Sequence, residues 1–151
     1  RTGVQFKKGL LHEDVEWFPK ILFYATKVKN IPFDFYYYIK REGSISSSGD
    51  YTQNVLDFIW IVNEFDSLLT QYESRISSDH INIFRNYLSE SLMYVCSLTN
   101  KQSWKNVRKN VDKIWIIRNS CRRNTRIKAM IFLCGINFYR MFFGDREKVK
   151  I

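Results

Sequence analysis

The stretch Pro32-Phe33-Asp34-Phe35-Tyr36-Tyr37-Tyr38-Ile39-Lys40 decides the fold class, because every other element reads as helix. Its residues alternate: Phe33, Phe35, Tyr37 and Ile39 share one face, while Asp34, Tyr36, Tyr38 and Lys40 share the other. Period-two alternation with aromatic enrichment and an opening proline predicts a strand with one wet face. An α+β chain, predominantly helical, is therefore expected. Working outward, Arg41-Glu42-Gly43-Ser44-Ile45-Ser46-Ser47-Ser48-Gly49 reads as a mobile loop of small polar residues. Upstream, a helix is expected after His12-Glu13-Asp14, with Asp14 as N-cap. Pro19 is disfavoured beyond the first turn, so the regular part is expected to start near Phe18 and to carry Ile21, Leu22, Ala25 and Val28.

Downstream the chain reads as helical to its end. Asp50-Tyr51-Thr52-Gln53 has the form of a capping box, followed by a stripe of Val55, Phe58, Ile59, Val62, Phe65, Leu69 and Tyr72. Ser77-Ser78-Asp79 breaks that helix and caps the next, with Ile81, Phe84, Leu88, Leu92 and Val95 as its stripe. Ser103 is expected to cap a helix using Trp104, Val107, Val111, Ile114 and Trp115, and a last helix is expected from Thr125 to about Phe143. The expected organisation is residues 1–49 as one part and residues 50–151 as a helical region.

The 151 residues are 45% hydrophobic and 17% aromatic, enough for a real core. The start at Arg1, without Met or a signal pattern, reads as an internal cut in a longer protein. Cys96, Cys121 and Cys134 are odd in number and show no C-x-x-C spacing, and His12 and His80 stand far apart. A disulfide framework and a zinc site are thus disfavoured, and no metal site is expected within this chain.

Chemistry is concentrated in Leu11-His12-Glu13-Asp14-Val15-Glu16-Trp17, with three carboxylates in four positions. Carboxylates this close resist joint ionisation, which suits one of them to general-base work; acids at a helix start also complement the dipole. The segment Gly-Leu-Leu-His-Glu-Asp-Val-Glu-Trp-Phe-Pro-Lys from Gly9, followed about twenty residues on by Phe-Tyr-Tyr-Tyr-Ile-Lys-Arg-Glu-Gly-Ser-Ile-Ser, resembles bacterial family 2 glycosyltransferases of the surface-polysaccharide type. The resemblance covers the second half of their catalytic domain, and implies the C-terminal fragment of a glycosyltransferase A-type fold (helix, aromatic strand, loop) with a helical tail. It places Glu13 and Asp14 at the acceptor side, Asp14 removing the proton of the acceptor hydroxyl. It implies an inverting transfer from a nucleotide-sugar to a polysaccharide or lipid-linked acceptor, with a divalent metal (Mg or Mn) in the full-length parent. This chain has neither an Asp-x-Asp pair nor a β-α-β unit ahead of the motif, so the fragment alone is expected to be inactive. The same chemistry gives Trp17 a sugar face or a core position, sets Arg41, with Lys40, over phosphates, and leaves Ser44 and Ser46 as loop residues within reach of substrate.

Charge is unevenly distributed within the net +9: residues 101–140 hold eleven Lys and Arg against Asp112 alone, a net +10, while the other 111 residues hold 13 basic and 14 acidic groups. Arg118, Arg122, Arg123, Arg126 and Lys128 lead into the Phe- and Met-rich last helix, a pattern suited to an anionic membrane surface. Phe132, Phe138, Phe142 and Phe143 are its expected apolar contacts. The expected location is the cytoplasm, peripheral on the inner face of the cytoplasmic membrane. The alternative is a basic helical module for nucleic acid or protein partners, which leaves the acidic and tyrosine-rich motifs without a role.

Overall fold

The computed structural model describes residues 3–33, 37, 39 and 50–144. The chain divides into two compact units, Arg1–Gly49 and Asp50–Ile151.

The first unit is built on α1, Glu13–Tyr24. Its N-cap is His12, in the left-handed region at φ 64° and ψ 38°, so Asp14 is the second helical residue and not the cap. The helix starts well before Phe18 and runs through Pro19, although the ring removes the N–H that would bond to the Val15 carbonyl. The ion pair between Lys20 and buried Glu16 spans the same turn. Ala25 N–H then closes the end on the Ile21 and Leu22 carbonyls.

The expected α+β class is corrected. Among the described residues there are seven helices and no strand. Asp34–Tyr36, Tyr38, Lys40 and the loop residues 41–49 lie outside the described residues. Phe33, Tyr37 and Ile39, three of the four side chains expected on the strand's inner face, are each more than 70% exposed. Alternation marks a chain that could join a sheet, but a strand needs a partner ladder for its backbone groups and a layer against its apolar face.

The second unit contains α2 (Thr52–Gln71), α3 (Ser78–Ser97), α4 (Lys101–Val107), α5 (Lys113–Asn119), α6 (Arg123–Cys134) and α7 (Ile136–Phe143). Helix α3 is its trunk, packing against α2, α5, α6 and α7, while α4 packs on α2. Val55, Phe58, Ile61, Val62, Phe65 and Leu69 of α2 meet Ile81, Leu88, Leu92, Met93, Val95 and Cys96 of α3 in the core. Phe84 sits at the border, edge-on to Phe65 at 5.3 Å.

Helix starts differ from expectation in instructive ways. Asp50 accepts from Thr52 N–H at 2.9 Å and from the Ser103 hydroxyl at 2.7 Å, so it joins the start of α2 to α4. Hydrogen bonds from Thr52, then from Ser103, hold its carboxyl below the usual value. Gln53 does not return to Asp50 but donates forward to Asp57 at 2.6 Å. Ser77 caps α3, and Asn100, not Ser103, caps α4, accepting from Ser103 N–H at 2.8 Å. The helix expected from Ser103 onward is two helices, because Asp112 starts α5 by accepting from Trp115 N–H at 2.9 Å. The last helix is also two. Gly135, at φ 148° and ψ 149°, cannot continue a helix, and the corner it makes lets both Phe132 and Tyr139 reach the core, edge to face at 5.6 Å.

Candidate functional site

The first turn of α1 sorts its three acids. Glu13 and Asp14 are exposed, whereas Glu16 is 2% exposed. Glu16 Oε1 pairs with Lys20, and Oε2 is buried without a hydrogen-bond partner among the described residues. The acidic cluster thus separates into two solvent-facing carboxylates and one structural carboxylate. Ahead of them stands His12, the only non-glycine residue with positive φ among those described. Histidine is among the residues that tolerate this conformation, yet such positions gather at functional turns.

Trp17 is half-buried, and Phe6 stacks on it at 4.5 Å with 18° between the planes. Among the described residues the indole therefore has one aromatic neighbour, and part of its surface stays open. Arg41 and Ser44, with Lys40 and Ser46, lie outside the described residues. Among the described residues no group of three or more His, Cys, Asp or Glu is placed to hold a metal ion.

In the second unit Arg118, Arg122, Arg123 and Arg126 are exposed. Arg122 is the N-cap of α6 and Arg123 its first residue, so cations sit at the positive end of the helix dipole, where an anion is favoured. Lys128 is engaged differently: it pairs with Glu90 at 2.5 Å and lies 5.5 Å from the Phe143 ring centroid. Phe132 is 1% exposed and belongs to the core, which removes it from the expected outward ring set. Phe138 and Phe142 are exposed, as are Ile127, Met130 and Met141. Among the described residues no helix is long and apolar enough to cross a membrane.

What positions this basic segment is a polar seat on α3 that apolar stripes do not reveal. Buried Asn86 donates to Thr125 Oγ1 at 3.1 Å and accepts from Arg122 N–H at 2.9 Å. Buried Ser89 donates to the Ile116 carbonyl at 3.0 Å and lies 2.9 Å from Ser120 Oγ. Thr125 in turn donates to Glu90 at 3.1 Å. The α5–α6 corner is therefore held by hydrogen bonds as well as by packing. Of the thiols, Cys121 and Cys134 are exposed, while burial pushes Cys96 up to about 12 against the opposing pull of Arg140.

No family model matches the chain, and neither a curated protein nor a solved structure does.

Proposed function

We propose that this chain is the acceptor-side, C-terminal part of an inverting glycosyltransferase that moves a sugar from a nucleotide-sugar to a polysaccharide or lipid-linked acceptor. The observation that carries the reading is the split among the acids of α1: the Glu13-Asp14 pair faces solvent while Glu16 is spent on Lys20. Helix α1 holds the pair on its first turn, where a substrate hydroxyl can approach. The resemblance of residues 9–20 and 35–46 to family 2 glycosyltransferases supplies the chemical role. Asp14 would accept the proton of the acceptor hydroxyl as that oxygen attacks the sugar's anomeric carbon, and the nucleoside diphosphate would leave from the opposite side. Glu13 would orient the acceptor, and the open part of Trp17 would lie against a sugar face.

Asp14→Asn keeps the shape and removes the base. In the full-length parent it is expected to lower turnover by roughly two to four orders of magnitude with donor affinity little changed. A near-normal rate would return Asp14 to a dipole-complementing role at the helix start.

Attachment to an anionic membrane surface belongs to the same proposal. Exposed Arg118, Arg123 and Arg126 stand on the same two helices as exposed Ile114, Ile127 and Met130, with exposed Arg122 at the N-cap of α6, which supplies cations for headgroups and apolar side chains for the interface. Each cation is expected to contribute about 1 kcal/mol near the surface, screened by salt. Sedimentation with anionic vesicles should be strong at low salt, partial at high salt and nearly absent with neutral vesicles. Equal retention by both vesicle types would remove the membrane from the proposal, and a steeper preference for nucleic acid would replace it.

A further inference from the structure

Between α4 and the α6–α7 corner lies an open cleft of about 850 Å3. Among the described residues four cations line it, Lys101, Lys105, Arg108 and Arg140, and no carboxylate does. Trp104 and Phe138 supply aromatic surface, and Gly135 and Ile136 bring the first turn of α7 to its wall.

The four cations are not equivalent. Arg140 is committed to the fold: it donates to the Ser97 carbonyl at 2.9 Å, to the Thr99 carbonyl, and to Thr99 Oγ1 at 2.9 Å. Burial lowers its pKa, which marks a guanidinium held inside the wall. Lys101, Lys105 and Arg108 are exposed, and none forms an ion pair among the described residues. Lys101, Lys105 and Arg108 recur along one side of α4 and just past its end, so they converge on the cleft without needing a neighbouring element.

The α7 end adds directional donors. Gly135 is its N-cap and offers no side-chain cap, and the first-turn amides of a helix have no acceptor within it. Gathering three cations that have no ion-pair partner among the described residues at one concavity costs electrostatic energy that an anion offsets, and the size suits a small-molecule ligand. Trp104, 6.0 Å from Phe132 and edge-on to it, is braced from the core side.

We infer that this cleft binds a diphosphate-bearing ligand, with Lys101, Lys105 and Arg108 on the phosphate oxygens and the rest of the ligand against Trp104 and Phe138. The inference rests on the second unit alone and stands apart from the role of Asp14. Diphosphate chemistry has two sources, a soluble ligand and a lipid headgroup.

Inorganic pyrophosphate titrated into the full chain should shift the amide signals of Gly135, Ile136 and Asn137 and the Trp104 indole. It should also slow alkylation of Cys134, which lines the cleft, and leave the exposed Cys121 as reactive as before. The triple substitution Lys101→Gln, Lys105→Gln, Arg108→Gln should weaken binding about tenfold or more, since bonds to charged groups are the strong ones, with the helical circular dichroism unchanged. Lys105→Gln alone should weaken it several-fold, which keeps the test open if the triple variant folds poorly. Vesicles carrying a lipid diphosphate that protect Cys134 as pyrophosphate does would assign the headgroup source; protection by pyrophosphate alone would assign the soluble one. Absence of pyrophosphate binding, shifts spread equally over Arg118–Arg126, or equal protection of Cys121 and Cys134 would overturn the proposal.

Discussion

The two units use apolar residues in opposite ways. Every buried hydrophobic side chain among the described residues belongs to the second unit, where Phe65, Phe132 and Tyr139 are at most 1% exposed. In the first unit Phe6, Phe18, Leu22, Tyr24, Val28, Ile31 and Phe33 are all exposed, and the one buried residue of α1 is a glutamate. Apolar content therefore does not measure core. The helical unit uses its apolar groups for stability, while the first unit leaves these side chains exposed.

The largest expected effect breaks or upholds that contrast directly. Phe132→Ala should destabilise the second unit by about 3–5 kcal/mol, because a ring is lost from between Trp104 and Tyr139. Phe18→Ala, at an exposed position of α1, should stay within about 0.5 kcal/mol. Urea unfolding of both variants checks this, and similar losses would mean that the first unit has a core of its own.

A smaller loss is expected at Asn86. Asn86→Ala leaves Arg122 N–H without its acceptor and Thr125 Oγ1 without a donor, a cost of about 1–3 kcal/mol. Faster hydrogen exchange should appear first across residues 119–126. Uniform acceleration over the whole second unit would show that the seat is no more local than the rest of the core.

The smallest effect concerns pH. Asp50 has a lowered folded pKa, so its contribution is fully present above the unfolded carboxyl value of about 3.9, and it is lost as pH falls through the lowered folded value. Asp50→Asn should flatten this acid limb and loosen the start of α2. An unchanged acid limb in the variant would assign it to other carboxylates.

How much of this was legible depends on what each signal reports. The α2 stripe was legible because a long amphipathic helix repeats its apolar positions many times, and Val55, Phe58, Val62, Phe65 and Leu69 are buried. The alternation from Phe33 to Lys40 reports which side chains would share a face and not whether a neighbouring strand exists, so it misread the fold class. The breaks at Asp112 and Gly135 escaped because local apolar spacing continues across both. Asn86 and Ser89 escaped because polar residues within a helix read as its wet face, and only the arrival of Arg122, Ile116 and Thr125 makes them interior. At the candidate site the exposed pair lay within the quoted motif, whereas neither the conformation of His12 nor the burial of Glu16 has a sequence signature of its own.

The seat on α3 has a consequence during synthesis. Within the second unit the ribosome releases α2 and α3 first, and their apolar faces can pair as soon as both have emerged. At that moment Asn86 and Ser89 still have no protein partners, so water must serve them until residues 116–125 follow. A hydrated patch in the middle of α3 keeps a premature apolar contact from settling there, and the correct corner is rewarded only when its own donors and acceptors arrive. Translation order and polar placement would thus act together, with α6 and α7 following α3 in the chain and meeting a trunk whose landing position is still open.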